Sequence, residues 1–255
     1  MGTIGLAFAV GAIVGSFANV CIHRLPRRES LLVPGSHCPQ CGTPLAWVEN
    51  IPLVSFALLR GRCRHCRRPI AWRYPLVEAL VGALFAATVA AVGPSLEAVR
   101  RMVLETLLVV VFFVDLEHYL IPNRLTYPGI ALGLAFGFAR GWEALLASAL
   151  TAAGLGTVFL IITLLSRAAL GVEGMGLGDA KLAAMIGAFL GWPDGPLAVL
   201  LGIFAGGGLG FVLLASRVRG RRDPVPFGPA LVVGALAALW WGPSLLHWYL
   251  GRVAG

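Results

Sequence analysis

Residues 3–22 read TIGLAFAVGAIVGSFANVCI, with no charged side chain among them. A helix rises about 1.5 Å per residue, so a run of this length crosses a hydrocarbon core about 30 Å thick. The apolar positions are continuous and do not alternate, which excludes a half-buried strand. No Lys or Arg precedes the run, and the first basic residues, Arg24, Arg27 and Arg28, follow it. A cleaved secretory signal has the reverse order. The run therefore reads as a retained first helix with its N-terminus outside.

Similar runs recur along the chain. Of its 255 residues, 58% are hydrophobic and only 13% charged, and the mean hydropathy is +0.84. A soluble domain carries about 25% charged residues. Backbone polar groups in lipid must be satisfied internally, so spanning segments are helices or a closed barrel. These continuous runs predict an all-α polytopic membrane protein. Eight membrane helices are expected, near residues 3–22, 75–93, 99–118, 125–140, 143–166, 179–192, 196–216 and 229–248. The fourth and sixth are short for a full span.

The basic residues test this topology. Sixteen of the 20 Lys and Arg fall in segments that it places in the cytoplasm. Arg100, Arg101, Arg140 and Arg252 fall outside. That asymmetry is the positive-inside pattern, and it accounts for the net charge of +8 without a nucleic-acid partner. The longest polar segment, Arg24 to Arg73, lies between the first two membrane helices. Three parts follow: a first helix over 1–23, a cytoplasmic domain over 24–74 and a membrane domain over 75–255.

The cytoplasmic segment holds two similar knuckles, Cys38-Pro39-Gln40-Cys41-Gly42-Thr43-Pro44 and Cys63-Arg64-His65-Cys66-Arg67-Arg68-Pro69. Each is C-x-x-C with proline shortly after, and 21 residues separate Cys41 from Cys63. Four thiolates so spaced predict a zinc-ribbon-like tetrahedral site. A disulfide or redox pair is the alternative, and neither suits a reducing cytoplasm. Four sulfurs leave no open position for a substrate, so the Zn2+ is expected to be structural. A segment with little apolar core needs such a staple.

Carboxylates are scarce, and most lie in loops. Asp115 ends the run Val109-Val110-Val111-Phe112-Phe113-Val114, and Asp179 ends Gly176-Leu177-Gly178-Asp179 at the start of another run. An acid in a membrane segment is a functional candidate by default. The topology places both about one turn from the cytoplasmic interface on different helices. Asp179 could be a helix cap. Asp115 sits near a helix C-terminus, where the dipole disfavours an anion. Two aspartates meeting in a cleft would share a proton, one activating water and the other polarising a peptide carbonyl. Gly176 and Gly178 would let an extended peptide lie close. Lys181 either snorkels to the surface or tunes the site's potential.

These residues resemble a known family. Gly176-x-Gly178-Asp179 with Lys181, and Asp115 six residues before Ile121-Pro122-Asn123, look like the prepilin peptidases, intramembrane aspartyl proteases of the GxGD class. Gly15-Ser16-Phe17-x-Asn19 with His23-Arg24-Leu25-Pro26 resembles their amino-terminal signature. Glu49-Asn50-Ile51-Pro52-Leu53, Arg73-Tyr74-Pro75-Leu76-Val77-Glu78 and Pro226-Phe227-Gly228-Pro229 are similar to further family elements. The resemblance implies removal of the basic leader from type IV prepilins and type II secretion pseudoprepilins. Cleavage would occur at the cytoplasmic face of the bacterial inner membrane. Asp115 and Asp179 match the catalytic pair, and Gly176, Gly178 and Lys181 are candidates for substrate binding. The paired C-x-x-C motifs imply a second activity, methylation of the new N-terminus from S-adenosylmethionine. Glu78 is a candidate for the methyl-donor site, with an ordinary interfacial acid as its alternative.

Two other functions compete. A proton-coupled transporter would use the aspartates as a relay, but such proteins often carry internal repeats and acids near the bilayer midplane. A zinc-stabilised scaffold without catalysis would leave Asp115 unexplained.

Overall fold

A computed structural model describes residues 2–170, 176–216 and 226–253. The expected cytoplasmic residues Arg217, Arg219, Arg221 and Arg222 lie outside the described residues. All regular elements among the described residues are helical. They are α1 (Gly2–Arg24), α2 (Val54–Leu58), α3 (Arg73–Val92), α4 (Leu96–His118), α5 (Asn123–Ala139), α6 (Trp142–Leu170), α7 (Leu177–Leu190), α8 (Asp194–Ala215) and α9 (Gly228–Val253). A 3-10 turn, Trp47–Asn50, precedes α2.

Each of the eight expected runs is a helix. Five of them, α1, α3, α6, α8 and α9, are long and apolar enough to cross a membrane by length and composition. The others fall short for separate reasons. The helix α4 carries Glu97, Arg100, Arg101, Glu105, Asp115 and Glu117, whereas α5 has 17 residues and α7 only 14. At about 1.5 Å per residue, α7 is roughly 21 Å long.

The chain divides into two compact units, Met1–Val110 and Val111–Gly255, with the border inside α4. In the first unit α1 packs along α3. Small residues set the approach: a Cβ at Gly11 would fall 2.8 Å from Gly82 Cα, and one at Gly15 2.8 Å from Glu78 Cα. Close backbone contact of this kind is how helices associate where lipid is the solvent. Asn19 lies in the seam and donates to the carbonyls of Gly15 (3.3 Å) and Tyr74 (3.0 Å). Further along, Thr88 Oγ1 donates to the buried Glu105 carboxyl at 2.9 Å, joining α3 to α4.

In the second unit α7 is the hub. It packs against α5, α6, α8 and α9. Leu182, Ala183, Met185, Ile186, Ala188 and Phe189 are fully buried. That explains how a short helix is tolerated: its flanks meet protein, so its length need not match the bilayer. Apolar side chains on the outer faces of α6 and α8, such as Leu150, Ile161 and Phe204, are exposed. A bilayer solvates such faces and water does not.

Candidate active site and cysteine cluster

Asp115 stands in the last turn of α4, in the second unit, and is 6% exposed. Glu117, two residues on, points outward and is exposed. The Asp115 Oδ2 accepts the N–H of Gly228, the first residue of α9, at 3.0 Å. Asp179 stands in the first turn of α7 and is 8% exposed. Its Oδ2 accepts the N–H of Gly176 at 3.0 Å. Gly176 is the N-cap residue and Asp179 the third helical residue, so the acid reaches back and satisfies an orphan donor.

The two acids thus stand in one arrangement. Each is buried and each has Oδ2 tied to a glycine amide. No other hydrogen bond from a described residue reaches either carboxyl, and none joins the two directly. Among the described residues, neither carboxyl has a hydrogen-bond partner on its second oxygen.

The other candidate residues make the following contacts within the chain. Gly178 faces Ile121: a Cβ there would lie 3.0 Å from Ile121 Cβ, so the glycine makes room for the segment after α4. Gly176 is exposed, and a Cβ there would lie 3.4 Å from Asp179 Oδ2. Lys181 Nζ donates to Asn123 Oδ1 at 2.5 Å and lies 5.7 Å from the centre of the Tyr127 ring. The lysine therefore bridges α7 to the start of α5. Asn123, Tyr127 and Gly228 were not singled out as site residues from the sequence. Two of them carried a signal, Asn123 in Ile121-Pro122-Asn123 and Gly228 in the proline-flanked Pro226-Phe227-Gly228-Pro229.

Glu78 belongs to the first unit. Its Oε2 accepts the N–H of Leu53 at 2.8 Å, and it also bonds the side chain of Ser16. Leu53 has φ 62°, a left-handed conformation that costs a branched side chain energy. Glu78 thus pins the strained turn before α2 onto the α1–α3 pair. Nearby, the buried Arg24 gathers the following segment, donating to the carbonyls of Ser30 (2.9 Å), Pro34 (2.7 Å) and Gly35 (3.2 Å).

The cysteine knuckles repeat each other in three dimensions. Cys38 N–H donates to Thr43 O and Cys63 N–H to Arg68 O, both at 2.9 Å. Isolated bridges pair His37 with Pro44 and Arg62 with Pro69. Each knuckle turns through a left-handed residue four places after its first cysteine, Gly42 (φ 70°) and Arg67 (φ 57°). The sulfurs of Cys38, Cys41, Cys63 and Cys66 lie within 4.8 Å of one another, and Cys38 Sγ is 3.9 Å from Cys66 Sγ. Tetrahedral Zn–S bonds of about 2.3 Å need sulfurs a little under 4 Å apart. The cluster fits a metal ion with little adjustment. The side chain of Thr43 draws the Cys41 thiol down to about 6. Backbone N–H groups of Cys66 and His65 lower Cys63. Both effects favour the thiolate, the form that binds metal. Cys66, although lowered by the Arg68 N–H, is instead pushed up to about 11 by desolvation and by the sulfurs of Cys63, Cys41 and Cys38.

The chain is thus a helical membrane protein with two buried aspartates, each tied to a glycine amide, and a four-cysteine loop. Residues 9–92 match the model of the bacterial peptidase A24 N-terminal domain, and residues 102–211 match the type IV leader peptidase family. A relative in Aeromonas hydrophila is 38% identical over 96% of this chain and 93% of its own. One in Burkholderia pseudomallei (strain K96243) is 40% identical over 93% of this chain and 85% of its own. A third, in Myxococcus xanthus (strain DK1622), is 45% identical over 72% of this chain and 55% of its own. All three are named prepilin leader peptidase/N-methyltransferase. No solved structure matches the chain. The chain belongs to the type IV leader peptidase family.

Proposed function

We propose that the chain is a membrane-embedded prepilin peptidase that removes the leader of type IV prepilins and related pseudoprepilins, then N-methylates the new N-terminus. Membership of the family and the shared name of its relatives carry the class of activity. Nothing in the comparisons favours the transporter.

The chemistry we assign to Asp115 and Asp179. What supports it is their common state: two buried carboxyls, each with Oδ2 held by a backbone N–H and neither bonded to the other. With one proton between them, the ionised member takes a proton from water. The water oxygen attacks the scissile carbonyl, whose oxygen accepts a hydrogen bond from the protonated member. The proton taken from water then goes to the leaving amine. The pair titrates as a unit. The product amine is the nucleophile of the second reaction, and S-adenosylmethionine is the methyl donor we assign to it.

Cys38, Cys41, Cys63 and Cys66 would hold a structural Zn2+. Its role would be to fix the loop between α1 and α3, with no step of either reaction passing through it. The arginine distribution supports an N-terminus outside, with the aspartates and the cysteine loop toward the cytoplasm.

The test replaces Asp115 or Asp179 singly with Asn and follows leader removal from a prepilin in detergent or liposomes. Loss of about 10²–10⁴-fold in rate is expected for each. Full processing by either variant rejects the aspartyl mechanism.

A further inference from the structure

The late loop brings a residue into the site that the acid pair alone does not explain. Gly228 is buried, and its N–H donates to Asp115 Oδ2 at 3.0 Å. A Cβ built on Gly228 would lie 2.5 Å from that oxygen, 3.0 Å from Asp115 Cγ and 3.3 Å from Asp115 Cβ. All three of its nearest neighbours are atoms of one side chain. The φ of Gly228 is outside the left-handed region, so the backbone conformation does not require glycine. The Asp115 carboxyl requires it, because it fills the volume a side chain would take.

The amide is also held from its other side. The N–H groups of Ala230 and Leu231 donate to Phe227 O at 3.0 and 3.1 Å. The Phe227 ring packs on Phe159 with centroids 6.4 Å apart. It also lies where a Cβ on Gly206 would come within 3.1 Å of it. The donor is thus anchored by α6 and α8, and the Asp115 side chain is the partner that adapts.

We propose that Gly228 is a positioning residue of the peptidase site. Its amide selects the Asp115 rotamer in which Oδ2 is tied to the protein and Oδ1 is left for water or substrate. Its missing side chain is what makes that rotamer possible. The proposal rests on the reading of Asp115 as one of the catalytic pair, and it adds the Pro226–Pro229 loop to the site as a third chain segment.

The experiment is Gly228→Ala in the full-length enzyme, with Gly207→Ala as control, since a Cβ at Gly207 meets nothing within 4 Å. Displacing a reacting group by about 1 Å costs on the order of 10²-fold. The kcat for leader removal should fall by about that factor in G228A, with KM within about twofold of the parent, while G207A cleaves normally. Thermal melting provides the second measurement. G228A should lower the melting temperature of the parent but not that of Asp115→Ala, where the carboxyl is gone. Normal kcat in G228A overturns the proposal. So does an equal melting loss in both backgrounds, which would make Gly228 an ordinary packing glycine. Cleavage by D115A would overturn the dyad reading itself, and this proposal with it, whatever the melting data show.

Discussion

Asp179 Oδ2 accepts the N–H of Gly176 at 3.0 Å, so the acid assigned to catalysis also closes the first turn of its own helix. The two roles separate by substitution. Asparagine retains a side-chain oxygen for the Gly176 amide but cannot exchange the proton. Alanine loses both. Asp179→Asn should melt like the parent, and Asp179→Ala should lose about 1 kcal/mol, the usual worth of a cap. Both should lose leader cleavage. Thermal unfolding in detergent beside a cleavage assay checks this. Equal melting of the two variants would remove the capping role.

Glu78 offers a similar separation in the first unit. Its carboxyl holds the Leu53 amide at a strained turn. Glu78→Gln keeps an acceptor there and should preserve the fold. Glu78→Ala should cost about 1–3 kcal/mol, because a part-buried donor loses its partner. A further role in binding the methyl donor would appear in E78Q as a raised KM for S-adenosylmethionine, with leader cleavage unchanged. An unchanged KM in a folded E78Q leaves Glu78 a purely structural pin.

How far the sequence could be read depended on the range of the force involved. Bilayer solvation acts on contiguous residues, so all eight long helices were visible as apolar runs. The cysteine tetrad was visible because tetrahedral ligation demands local spacing. The shortness of α5 and α7 was visible in the same runs, but not the reason it is tolerated. Whether a helix meets lipid or protein is a tertiary fact, and α7 is sheathed by four neighbours. The pairing of Asp115 with Gly228 joins residues 113 apart and left no local trace. Arg67 occupies a left-handed position that its counterpart Gly42 advertises, so the second knuckle's turn was hidden by its residue type. The capping alternative weighed for Asp179 placed it at the N-cap position. It acts from the third position because Gly176 takes the cap itself.

Lys181 and Asn123 lie 2.5 Å apart, and the lysine also lies over Tyr127. This contact ties the start of α7, which carries Asp179, to the start of α5. Lys181→Met and Asn123→Ala should each lower stability modestly. Residues in direct contact couple by about 0.5–3 kcal/mol in a double-mutant cycle, and a value near the lower end is expected for this half-exposed pair. Melting of the two single variants and the double variant measures it. An additive double variant would leave the lysine free to serve a bound peptide.

The cysteine cluster makes the last prediction. The wild-type protein should carry about one zinc per chain by elemental analysis, and Cys38→Ser or Cys63→Ser should carry none. Chelation should expose the loop between α1 and α3 to proteolysis at Arg60, Arg62, Arg64, Arg67 and Arg68, because a segment with so few buried side chains has little else to hold it. Affinity should weaken as the pH falls, since protons compete for the sulfurs. Limited proteolysis with and without a chelator reads the stapling directly, with faster cutting of the loop in the chelated protein as the expected result. A loop equally resistant with and without metal would show that the tetrad is not its staple.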